Sequence, residues 1–155
     1  MPDTIQKRLD ALGVTLPVAA APAANYVPYA QSGKLLMTAG QLPLEAGKLM
    51  TGLLGRDLDT EGGKQAAKLC AINILAQIQA ATGDIEQIAR IVKITVFVAS
   101  APDFTEQHLV ANGASDFLAE ALGERGKHAR SAVGVAVLPV TVTSEARSSV
   151  RTPPS

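Results

Sequence analysis

The segment "KHARSAVGVAVLP", residues 127–139, sets an arginine at the head of a run of valines and very small residues. Strand alternation places Val133, Val135 and Val137 on one face and Arg130, Ala132, Gly134 and Ala136 on the other. A fixed cation beside side chains of so little volume leaves room for a small anion. The planar guanidinium suits a carboxylate, because it donates two parallel hydrogen bonds. The competing reading is a solvated strand end whose small neighbours admit a packed helix, since charged side chains are mostly exposed.

Glu145 is the second candidate. It would lie near Arg130 if the strands that carry them are antiparallel neighbours, and a carboxylate there could orient water or carry a proton. The alternative is an exposed salt bridge on an edge strand, worth little energetically. His128 precedes Arg130 by two residues, which can put it on the same face, and its pKa range suits proton transfer, although a lone histidine in a Gly/Lys-rich turn is more often simply solvated. His108 has no visible partner. Cys70 sits among apolar neighbours and reads as a small core residue. No phosphate-binding glycine loop, metal-spacing cluster or nucleophile elbow is present, and no cofactor is expected.

The elements that must position these residues follow from periodicity. "DTIQKRLDALG" spaces Ile5, Leu9 and Leu12 as a short helix, with Asp3 as N-cap and Gly13 as stop, followed by an extended connector to residue 24. "NYVPYAQ" and "KLLMTAG" are strands joined by a tight turn at Ser32-Gly33, the first an edge or bulged strand because of Pro28. The glycine-rich stretch over residues 40–58 reads as loop. A long helix follows, with Ala67, Ala71, Ile74, Leu75 and Ile78 as its apolar stripe and Gly83 as its end. In "RIVKITVFV", Val92, Ile94, Val96 and Val98 form one face of a central strand. Asp103 and Glu106 form a capping box for a second helix, striped by Val110, Ala114, Phe117, Leu118 and Ala121, in which Gly113 marks close packing or a site.

With the Arg130 strand and a last strand near residues 140–150, this order predicts an α+β sandwich. One sheet carries both long helices on a single face, and its other face is left for partner subunits. Residues 151–155 are expected to be a disordered tail.

Composition narrows the function. At 155 residues the chain is expected to form one domain that folds without metals or disulfides. Its 14 basic and 14 acidic side chains balance, and five aromatics are few for stacking on bases, so nucleic acid is a poor partner. No apolar run is long enough to span a bilayer. A single cysteine suits a reducing compartment, and a cytoplasmic location is expected.

Three segments in order, "YAQSGKLLMTAGQLP", "VKITVFVASAPDFTEQ" and "ARSAVGVAVLP" with Glu145 beyond it, resemble the Rid family of reactive-intermediate imine deaminases. Older descriptions of that family speak of an endoribonuclease, L-PSP. The likeness runs from about Tyr26 to Glu145. It implies a chorismate-mutase-like fold, with one mostly antiparallel mixed sheet, assembled as a homotrimer with sites between subunits. It also implies cofactor-free hydrolysis of small 2-imino or enamine carboxylates to 2-oxo acids and ammonia. By resemblance Arg130 grips the substrate carboxylate and Glu145 helps to activate water. By the same resemblance Tyr29, Gly40, Gln41 and Asn112 would line the site, and the Arg130 strand adds His128 and Ala132 to the candidate substrate-binding residues. Two departures stand out: Ala39 replaces the serine of the family's "SGQ" turn, and His128-Ala129 replaces Pro-Ala ahead of the arginine. A non-catalytic trimer that binds small carboxylates is the alternative.

Overall fold

The protein is seen here as a computed structural model that describes residues 3–22, 24–139 and 144–152, with the side chains of Ser144 and Glu145 outside that description. Helix α1 spans Ile5–Ala11, and its N-cap is Thr4 rather than Asp3: Thr4 Oγ1 accepts from the Lys7 backbone N–H at 3.1 Å. Asp3 instead pairs with Arg8 at 2.7 Å. The hairpin is shorter than its apolar pattern suggests, with β1 at Tyr29–Ser32 and β2 at Leu35–Thr38. Its turn is Gly33-Lys34, one residue later than expected, with Gly33 supplying φ 60°.

The stretch expected to be loop contains a small hairpin, β3 at Leu44–Glu45 and β4 at Lys48–Leu49. Its tight turn holds Ala46 at φ 51° and Gly47 at φ 80°. Helix α2 runs Thr60–Thr82, capped by Asp59 on the Gly62 N–H and closed by left-handed Gly83, and all five predicted stripe residues are fully buried. Helix α3 spans Gln107–Leu122 with its predicted stripe buried, but no capping box opens it. Glu106 makes no cap bond and instead accepts from Thr60 Oγ1, tying the starts of the two helices together.

Gly113 on α3 faces the backbone of α2, where a Cβ would lie 2.0 Å from the Lys64 carbonyl oxygen. The close-packing reading of this glycine is therefore the correct one. Only a residue without a side chain lets the two helices approach this closely.

The main sheet has the order β1-β2-β7-β5-β6, with β5 at Arg90–Ala99, β6 at Ala129–Val135 and β7 at Ser144–Arg151. All pairings are antiparallel except β5 with β6, whose parallel pairing needs the long crossover connection that α3 supplies. A register shift between Ile91 and Lys93 corrects the predicted face of β5: Ile91 is buried and Val92 is exposed, whereas Ile94, Val96 and Val98 remain inward.

Strand β7 continues to Arg151, and Thr152 is buried with its N–H on the Lys34 carbonyl at 2.8 Å. This overturns the expectation of a disordered tail at residues 151 and 152. Residues 153–155 and the strand start expected at 140–143 lie outside the described residues.

Both long helices pack on one face of the sheet, α2 over β7 and β2, and α3 over β6 and β5. The core lies between them, built from Ile74, Leu75, Ile78 and Leu118 against Leu36, Ile94, Val96 and Val150. Each such side chain, fully buried, contributes about 1.5–3 kcal/mol. On the opposite face, Leu42, Leu53 and Leu138 cluster with Phe97 and Val135 at one end. The rest of that face leaves Leu35, Met37 and Val133 exposed, at 36%, 45% and 43%.

Candidate functional site

The parallel register of β5 and β6 decides where Arg130 points. Arg130, Ala132 and Gly134 pair with Ile94, Val96 and Val98, so they share the helix-covered face; Ser131, Val133 and Val135 take the other. The guanidinium reaches α3, where Nη1 donates to Asn112 Oδ1 at 2.8 Å and to Ser115 Oγ at 3.1 Å, and Nη2 donates to the His108 carbonyl at 3.1 Å. Because arginine can only donate, these bonds fix the orientation of the Asn112 amide.

Three bonds leave Nε–H and one Nη2–H with no partner among the described residues. No carboxylate among those residues pairs with the guanidinium. The result is a cation locked in place by neutral acceptors, with part of its hydrogen-bonding fork unused.

Beside it, His128 Nδ1 lies 2.6 Å from the Gly126 carbonyl and Nε2 lies 2.8 Å from Ser115 Oγ. Burial lowers the imidazole pKa and the Arg130 charge adds to this, while the bond to Gly126 opposes both. The balance favours the neutral ring more than in a free imidazole.

The small residues next to Arg130 serve two purposes. Ala132 packs on the core under α3, and the Gln107 amide lies over Gly134, where a Cβ would meet Nε2 at 2.6 Å. The packed-helix reading thus accounts for Ala132 and Gly134, while the anion-clamp reading remains open for Arg130 itself.

The other expected residues lie elsewhere. Tyr29 is half-buried on β1, at the opposite edge of the sheet, four strand spacings or roughly 19 Å from β6. Ala39 and Gly40 lead from β2 into a bridge in which Gln41 and Ala146 exchange backbone hydrogen bonds at 2.7 and 3.0 Å. The Gln41 side chain is buried, with its amide on the Ala39 carbonyl and its Oε1 3.5 Å from Gln77 Nε2.

The backbone of Glu145 pairs with Phe97 on β5. It is not a neighbour of Arg130: β7 pairs with β5 and β2, so β5 stands between β7 and β6, contrary to the antiparallel-neighbour expectation. The candidate residues therefore form two groups. Arg130, His128, Ala132 and Asn112 sit at the β6 edge, and Tyr29, Gly40, Gln41 and Glu145 sit on the β1-β2-β7 side.

Sequence reasoning missed Ser115. The signal was present, because Asn112 and Ser115 are spaced i, i+3 on one helix face while His128 and Arg130 are spaced i, i+2 on one strand face. A cleft of about 620 Å³ lies elsewhere, between the Leu12–Val18 connector, the β3-β4 hairpin and α2, and it contains none of the site residues. Among the described residues no three His, Cys, Asp or Glu side chains gather as a metal-binding set.

Comparison with known proteins agrees with this architecture. The family profile described as "YjgF/chorismate_mutase-like, putative endoribonuclease" matches residues 6–145. Protein TCP17 of Trypanosoma cruzi is 52% identical over 137 residues, covering 87% of this chain and 86% of that protein. A crystal structure of an Agrobacterium tumefaciens protein described as of unknown function has a TM-score of 0.90 at 54% identity, covering 96% of this chain and 92% of that one. A Shewanella oneidensis protein described as a putative endoribonuclease has a TM-score of 0.94 at 34% identity, covering 96% and 99%. More distantly, Escherichia coli TdcF with bound serine has a TM-score of 0.60 at 26% identity, covering 89% and 95%. With most of its length matched by the profile and by these relatives, the chain belongs to the YjgF/chorismate-mutase-like family.

Proposed function

We propose that the protein is a cofactor-independent deaminase of small 2-imino or enamine carboxylates, with its sites built between copies of the chain in a homotrimer. The observation that carries this reading is Arg130: a guanidinium held by Asn112, Ser115 and the His108 carbonyl, free of any described carboxylate, with donors to spare. Such a group can take a substrate carboxylate without first breaking an ion pair. The serine bound to TdcF supports the substrate class, since serine is a small carboxylate with nitrogen on the adjacent carbon.

The chemistry needs little more. A protonated imine carbon is already electrophilic, so the site must orient it, supply water and move protons. Glu145 is the water-activating carboxylate in this reading. Because it belongs to the other group of residues, a second copy supplies it. The exposed Leu35, Met37 and Val133 on the outer sheet face support such an assembly, since an uncovered apolar surface favours association.

A second reading, a trimer that binds small carboxylates without turning them over, is favoured by Ala39, which removes one hydroxyl from the turn. The endoribonuclease description carried by relatives finds little support in the balanced charge of this chain. The test is ammonia release from 2-imino acids generated in situ by an amino-acid oxidase. Turnover that disappears in Arg130→Ala supports the deaminase. Calorimetric binding of 2-oxo acids with no ammonia release supports the binding protein instead.

A further inference from the structure

Ser115 and His128 form a hydrogen-bonded pair against the guanidinium, and with the ring neutral the surrounding groups allow only one arrangement of protons. The Gly126 carbonyl can only accept, so Nδ1 of His128 carries hydrogen. Arg130 Nη1 can only donate, so Ser115 Oγ accepts from it. The neutral ring then presents its Nε2 lone pair to the Ser115 hydroxyl, which donates its proton at 2.8 Å. The result is a polarised hydroxyl with a base behind it and a cation beside it.

The fold enforces this arrangement. At Gly126, in the 3-10 turn Gly123–Gly126, a Cβ would lie 2.1 Å from the Leu118 carbonyl oxygen, so only glycine lets the turn sit against α3. That seating places the carbonyl that fixes the histidine tautomer. The base, its orienting acceptor and the hydroxyl thus come from the residue leading into β6, from the turn and from α3, against which both β6 and the turn pack. A hydroxyl hydrogen-bonded to an oriented histidine is the arrangement that makes a serine a proton-transfer group.

We infer that Ser115, backed by His128, is the proton relay of this site: Ser115 Oγ touches the substrate held on Arg130 and passes its proton to His128 Nε2 as the C–N bond breaks. The inference rests on the deaminase reading. Water adds to the protonated imine carbon, forming the C–O bond. The C=N π pair moves to nitrogen, and the water proton goes to Glu145. Glu145 then protonates the amine of the tetrahedral adduct. Ser115 Oγ takes the adduct's hydroxyl proton while its own passes to His128. The O–H pair becomes the C=O π bond, and the C–N pair leaves with nitrogen as ammonia. The imidazolium returns its proton through Ser115, and ammonium departs. One water is consumed, and no oxidant or reductant is needed.

A supporting role for the same pair would be to hold Arg130 in place, and steady-state kinetics separate the two. His128→Gln leaves the Arg130–Ser115 contact available but cannot act as the base. The relay requires kcat for ammonia release to fall about 100- to 10,000-fold with KM within roughly twofold of wild type. It also requires exogenous imidazole to restore part of the rate in His128→Ala. A raised KM at unchanged kcat in His128→Gln and Ser115→Ala assigns the pair to holding Arg130 and overturns the relay. Variants indistinguishable from wild type do the same. If wild type itself releases no ammonia, or Arg130→Ala is as active as wild type, the deaminase reading falls and the relay falls with it. An active wild type with a dead Arg130→Ala and unaffected His128→Gln removes the relay alone.

Discussion

Arg130 and Glu145 lie on strands that are not neighbours, with β5 running between them. Arg130 pairs with Ile94 on β5, whereas Glu145 pairs with Phe97, three residues further along the same strand. In the deaminase proposed above, the two residues come from different copies of the chain, so the two halves of that site can be altered separately.

Mixing subunits tests the division. Arg130→Ala and Glu145→Gln chains, each inactive alone, should regain activity when co-refolded at equal ratio, because roughly a quarter of the interfaces then carry both intact halves. Ammonia release by the mixture is the measurement. A mixture as dead as its components places both residues in one copy's site, or outside it.

Arginine at position 130 is expected to resist conservative change. Lysine offers a point charge with no planar fork, so it cannot satisfy the acceptors on α3 and hold a carboxylate at the same time. Arg130→Lys should lose at least about 10-fold in kcat/KM and Arg130→Ala about 100-fold or more, in line with removing a charge-assisted hydrogen-bonding group. Retention of wild-type kcat/KM in the lysine variant would contradict a bidentate grip.

Assembly is expected to depend on the outer face. Val133→Asp sets a charge in the exposed apolar row without disturbing the core, so sedimentation should show smaller species with helix content unchanged. An oligomer insensitive to this change would place the subunit contact elsewhere.

Gly113→Ala reverses the usual helix preference. Alanine normally stabilises a helix by about 1 kcal/mol over glycine, but here its methyl would meet the Lys64 carbonyl. The helices must separate, at about 1–3 kcal/mol. Urea unfolding should show a lower midpoint, and an unchanged or raised one would refute the close approach.

The docking of α1 should respond to acid through Glu86. Partial desolvation pushes this carboxyl up, but the N–H groups of Gln6 and Ile5 and the Arg125 guanidinium outweigh it, so its pKa lies below the usual glutamate range. A folded-state pKa below the unfolded one means that the stabilisation is present above the unfolded value and is lost as pH falls through the folded one. Glu86→Gln should cost on the order of 1 kcal/mol at neutral pH and nothing in strong acid, where the wild-type group is itself protonated. Denaturant midpoints for both chains from pH 7 to 3 would show the curves converge. A constant gap across that range would rule out the carboxylate.

Much of this molecule was legible in its sequence. The stripes of α2 and α3, the glycine that ends α2, the alternation of β6 and the use of one sheet face by both helices follow from periods of 3.6 and 2, which each segment carries by itself. Local patterns failed where a distant contact outbid them. Glu106 gave up its place in a capping box to bond Thr60, and a bulge on β5 traded Val92 for Ile91 at the core. Tertiary packing also converted the polar end of the chain into strand, because Arg151 pairs with both Leu35 and Arg90.

The site divides in the same way. The sequence by itself determined that an arginine, a histidine and an asparagine were available, and which residues share a strand face with the arginine. Only the tertiary structure decided their partners. The parallel pairing of β6 with β5 turned Arg130 toward α3, and the seating of the Gly123–Gly126 turn brought Ser115 under His128. The insertion of β7 between β2 and β5 carried Glu145 away from Arg130. The physical reason is that period and propensity act over a few residues, whereas strand order and helix–strand contact depend on how distant segments close around a shared core.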